Sequence, residues 1–210
     1  MEPWTKKKRI TGYILMMGML MGTLIMGVFY GEHYRIQQQL AEKVIRFHVL
    51  ANSDSTADQH LKLQVRDAVG AYMYEKMPEI ESRENCEEMI LQWIPEIIET
   101  AEKVVAEAGY SYEVKAALTN CDFPVKSYGT YTFPAGKYEA LQIVIGEGDG
   151  ANWWCVMYPN MCFENSMYKV DEETGKILRT VLDEEEYEAV LASGKYQVRF
   201  KFLEQLQRFF

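Results

Sequence analysis

The sequence predicts one mixed α/β domain, a single β-sheet packed by helices, standing behind one N-terminal transmembrane helix. Three observations point there. Residues Ile10 to Tyr30 run for 21 positions without a charged side chain. The remaining part, about 180 residues, is long enough for one domain with a full hydrophobic core. Along it, stretches with apolar residues at every second position alternate with stretches at helical spacing, and no repeat or linker divides them.

Lys6, Lys7, Lys8 and Arg9 stand directly before the apolar run and Glu32 follows it. As a helix the run measures about 31 Å, the thickness of a bilayer's hydrocarbon core. Basic residues stay on the cytoplasmic side, so the rest of the chain is expected to cross. This divides the chain into a basic cytoplasmic region (1–9), a transmembrane anchor or signal segment (10–30), a juxtamembrane linker (31–42) and an exported domain (43–210). The run exceeds the roughly 7–15 residues of a signal-peptide core, and Phe29 and Tyr30 occupy the zone where small residues would mark cleavage. A lasting anchor is therefore favoured over a cleaved signal. Gly18 and Gly22, like Gly27 and Gly31, fit a small-xxx-small packing pattern, but glycine is common in membrane helices.

Ile45, Phe47 and Val49 alternate with Arg46 and His48 and predict a first strand over 43–51. Ser55, three residues before Asp58, matches a capping box that opens a helix whose apolar stripe is Leu61, Val65, Ala68, Val69, Tyr72 and Met73. Asp58 and Lys62 are expected to pair on its outer face. A second helical stretch covers 84–108 and ends at Gly109, with a break or kink expected before Pro95. Residues 110–118 alternate as a strand. Residues 125–133 and 138–145 read as two arms of a hairpin turning at 134–137, the second arm apolar on nearly both faces and so central in the sheet. A short hydrophobic piece follows at 152–158, then a polar, turn-rich stretch, an acidic helix at 183–192 and an alternating segment over 196–202. The run Asp183 to Glu186 reads as a solvated helix start.

Setting aside the four leading bases and Glu2 takes the net charge from −9 to −12 for the rest of the chain. Such a domain repels phosphate backbones, so no nucleic acid is expected as partner. The cysteines (Cys86, Cys121, Cys155, Cys162) form no CxxC pair and do not cluster with His33, His48 or His60. No metal site and no cofactor is expected. Gly146-Glu-Gly-Asp-Gly150 carries two carboxylates, which would repel a phosphate. Its glycines suit a loop that needs positive φ.

Three segments carry more specific information: Arg46-Phe-His-Val-Leu-Ala-Asn-Ser-Asp54 with Asp58-Gln-His-Leu-Lys-Leu63, Phe123-Pro-Val-Lys-Ser-Tyr-Gly129 running to Leu141, and Ile145-Gly-Glu-Gly-Asp-Gly-Ala-Asn-Trp-Trp-Cys-Val-Met-Tyr-Pro159 with Cys162-Phe163 behind. In this order they resemble the stage II sporulation protein R family. The resemblance implies an exported signal made in the forespore. It would act in the space between forespore and mother cell, on the extracytoplasmic part of a membrane-embedded aspartic protease that processes the mother-cell sigma-E precursor. It supplies no catalytic residues, so the chain is expected not to be an enzyme. Asn52, Ser53, Asp54, Asn152, Trp153 and Trp154 are the candidate partner-binding residues, the polar four because they border strand ends inside these segments and the tryptophans as anchors if exposed. Core burial would consume at least one tryptophan. Cys155 and Cys162 could meet in a disulfide across the turn at Pro159-Asn160. The alternative is a cell-envelope thiol hydrolase in which His48 serves Cys155 as base.

Overall fold

The computed structural model describes residues 3–76, 80–161 and 172–193. Its elements are α1 (Pro3–Lys43), β1 (Ile45–Leu50), α2 (Thr56–Lys76), α3 (Arg83–Glu107), β2 (Val114–Phe123), β3 (Lys126–Tyr128), β4 (Tyr131–Phe133), β5 (Gly136–Ile145), β6 (Asn152–Tyr158), α4 (Glu172–Val181) and α5 (Glu184–Ser193). Four strands form a mixed sheet in the order β2-β5-β1-β6, with β1 parallel to β5 and the outer pairs antiparallel. The doubly apolar β5 lies inside the sheet, as its composition requires.

Each face of the sheet has its own core. On the first, Phe47, Val49, Leu141 and Ile143 meet Leu61, Val65 and Val69 of α2 and Ile90, Ile97 and Ala101 of α3. On the second, Tyr138, Ala140 and Val156 meet Leu40 of α1, Phe133 of β4, Leu178 of α4, Tyr187 of α5 and Leu182 between those two helices. Arg46 lies fully buried on that second face. Its Nε donates to Cys155 O at 2.8 Å and its Nη2 to Tyr128 Oη at 2.9 Å, while the guanidinium sits 4.3 Å from the Phe123 ring centre.

α1 is apolar on every side between Ile10 and Tyr30, its large apolar side chains there are exposed, and it contains a candidate membrane span, Ile10–Lys43, with mean hydropathy 1.8. The linker expected over 31–42 is instead the continuation of this helix. Gln37 and Leu40 are buried against the sheet, Gln37 Nε2 donates to Lys137 O at 2.8 Å, and Lys43 Nζ lies 2.6 Å from Glu186 Oε2. The segment is helical because its apolar side chains at Ile36, Leu40 and Ala41 find the second core.

Four further expectations are corrected. α3 runs unbroken through Pro95; Pro95 and Leu91, whose carbonyl loses its donor, are exposed, so water can take the orphaned bond. Residues 125–133 form the separate two-stranded sheet β3-β4 around Gly129 (φ 59°), and β5 pairs instead with β2 and β1. α4 occupies part of the stretch expected to be turns. Glu186 is buried rather than solvated: it and Asp183 cap each other reciprocally at 2.9 Å, and Lys43 supplies the countercharge. The alternating segment 196–202 and Cys162 lie outside the described residues.

Candidate functional site

Two of the three informative segments fold against each other where β1 ends. Asn52 Oδ1 accepts the Glu147 N–H at 3.1 Å, and Asp54 Oδ1 accepts the Ala151 N–H at 2.6 Å. Main-chain bonds add to this, from Gly150 N–H to Ala51 O (3.0 Å) and from Asp149 N–H to Asn52 O (3.3 Å). The glycines are what let the loops approach. A Cβ on Gly146 would strike Asn52 Oδ1, and one on Gly150 would strike the Ser53 carbonyl oxygen. Gly146 (φ 59°) and Gly148 (φ 72°) also adopt the left-handed backbone that favours glycine.

Asp58 is the hub of this junction, although sequence periodicity placed it on the solvent face. Ser55 caps α2 as expected, accepting from the Asp58 N–H at 3.1 Å. The Asp58 carboxylate, however, turns inward and accepts from Ser53 Oγ (2.5 Å), Asn52 Nδ2 (3.0 Å) and Tyr112 Oη (3.2 Å). Those bonds, Ser53's first, hold its pKa below the ordinary value. Lys62 is buried too. It donates to Gln59 Oε1 and Ala151 O instead of pairing with Asp58, and burial lowers its pKa. Only the short-range pattern Ser-x-x-Asp hinted at this role; the partners Tyr112 and Ala151 are distant in sequence.

Trp153 and Trp154 point to opposite faces, and both are half-buried. Trp153 packs edge-on against Phe47 under Arg66 of α2. Trp154 stacks on His48 at 3.8 Å on the second face, where Asn152 is exposed. Ala117, Thr119, Gln142 and Leu50 share this face and are open or half-open, so the sheet here is only partly covered. Burial pushes the His48 pKa down to about 4, with the Asn152 side chain pulling weakly the other way.

The thiol-hydrolase alternative fails on geometry. Cys155 is opposite Phe47 in register and belongs to the first core, whereas His48 faces the second. Cys155 is 2% exposed and disulfide-bonded, so it offers no thiolate. Cys86 and Cys121 are free and buried; Cys162, the expected partner, lies outside the described residues.

The span from the end of α1 through both loops of this junction to beyond β6 is also what relatives share. A family model described as stage II sporulation protein R matches residues 41–168. The chain belongs to the stage II sporulation protein R family. Stage II sporulation protein R of Bacillus subtilis (strain 168) is 40% identical over 124 residues, which is 59% of this chain and 55% of that protein. The chain thus aligns with about half the length of this relative. No solved structure matches. Within the family's matched span fall Asn52, Asp58, the loop 146–150 and Trp154, so the locked junction and the open sheet face beside it form the candidate site.

Proposed function

We propose that the chain is a sporulation signal whose domain, held outside the cytoplasm by α1, engages the extracytoplasmic part of a membrane-embedded aspartic protease and turns on processing of the sigma-E precursor. Its setting would be the space between forespore and mother cell. Membership of the stage II sporulation protein R family carries this proposal. The apolar, unpacked first half of α1 and its basic flank support the membrane placement. Activation requires only that the domain bind the active form of the protease better than the inactive one. Trp154 and Asn152, presented on the partly covered face beside a rigid loop junction, suit such a contact.

Co-expression of the full chain with protease and precursor in a non-sporulating host is expected to yield processed sigma factor. No processing there would sink the triggering role. In the same host, Asn152→Ala is expected to cut processing at least tenfold while the melting curve stays in place, because its side chain is exposed. Loss of processing only in proportion to lost stability would move the contact elsewhere. A reporter that is active only in the cytoplasm, fused after Phe210, is expected to stay silent; strong activity would overturn the export.

A further inference from the structure

We infer that the outer edge of β2 receives an extended strand from the juxtamembrane stretch of a membrane-embedded partner. The inference rests on the function proposed above and names the mode of contact. β2 is ten residues long and bonds to β5 in unbroken register from Val114 opposite Ile145 to Phe123 opposite Gly136. Its other edge is unpaired among the described residues. Soluble proteins blunt long edges with charges, prolines, bulges or covering loops, because unpaired N–H and C=O groups invite another strand. Between Lys115 and Asp122 this edge has no charge, proline or bulge, and Ala117, Thr119 and Asn120 are exposed. Only another extended chain can complete such a ladder.

Position and charge select the occupant. The start of β2 adjoins the locked junction through the bond from Gly146 N–H to Glu113 O at 2.9 Å. Its far end, at Asn120 and Asp122, opens on a cleft of about 890 Å³ whose other wall includes Tyr30 and Tyr34 of α1. Tyr30 ends the apolar run, so a chain leaving the bilayer beside α1 meets this cleft first and β2 directly beyond it. Glu113, Glu147 and Asp149 crowd the membrane-distal end, and Lys115 is already paired to Glu113 at 3.2 Å. A neutral or basic strand is favoured and an acidic one repelled. A second copy fits poorly: antiparallel pairing of two β2 edges would put the two anchors at opposite ends of the joint sheet.

The test uses the full chain in the co-expression host. Ala117→Lys with Thr119→Lys places two charges on exposed edge positions and is expected to leave the melting temperature unchanged while processing falls at least tenfold. A photocrosslinking benzoylphenylalanine at Thr119 is expected to form an adduct with the protease. Full processing by the double variant overturns the edge site while leaving the triggering role intact. If wild type triggers nothing, the proposed function fails and the crosslink alone judges the edge. No adduct, an adduct with a second copy, or one with residues 194–210 of the same chain overturns the inference.

Discussion

Lowering the pH from 7.5 to 4.5 is expected to cost the domain about 2 kcal/mol through His48 alone. The folded-state pKa is depressed, to about 4 from 6.5, because the ring is buried on the sheet against Trp154. Between those values the unfolded chain takes up a proton that the folded one refuses. Stability is therefore complete above pH 6.5 and drains away as the pH falls toward 4. Asp58 and Asp183, both depressed carboxylates, add losses as the pH falls through 3.8 and below, where they are forced to protonate. Urea denaturation at the two pH values measures the difference directly, and His48→Gln is expected to remove most of it. Equal midpoints for the wild type would show that the ring titrates freely.

Asp58→Ala is expected to destabilise the domain by about 3 kcal/mol, since it strips acceptors from Asn52, Ser53 and Tyr112 at once. The loss should spread beyond α2. Without Asp58, Asn52 is no longer held beneath Gly146, and the loop 146–150 loses its anchor. Asn52→Ala alone is expected to cost less, and the double variant less than the sum of the two, because they share one network. Thermal melts of the three variants decide this. A loss under about 1 kcal/mol for Asp58→Ala would mean that main-chain bonds hold the junction without it.

Much of this architecture is legible in the sequence, since most elements advertise their period. β1 and β5 stand out by alternation and by double-sided apolarity, and α2 by its Ser55 cap and leucine-valine stripe. What escapes notice depends on partners far along the chain. Asp58 and Lys62 look like an outward pair until Tyr112 and Ala151 arrive to meet them. Pro95 looks like a breaker until Leu91, whose carbonyl loses its donor, is found exposed. Adjacency in sequence favours 125–133 as the hairpin partner of residues 138–145, whereas the ten-residue β2 offers a longer ladder. Cys155 and His48 could be imagined as a pair only while the register of β6 on β1 was unknown; that register sets them on opposite faces. At the site, Asn52, Ser53 and Asp54 follow the end of β1, and Asn52 and Asp54 spend their side chains on the glycine loop.

α1 passes from the apolar run into the second core as one helix, with no joint between them. The domain therefore has a fixed compass bearing around the anchor's axis. Each residue added or removed near Glu32 would swing the whole sheet by about 100° and shift it by about 1.5 Å. Two residues would turn the β2 edge nearly to the far side, while seven would bring it almost home at greater height. Any contact made close to the bilayer must then depend on the angular phase of this helix as much as on its length.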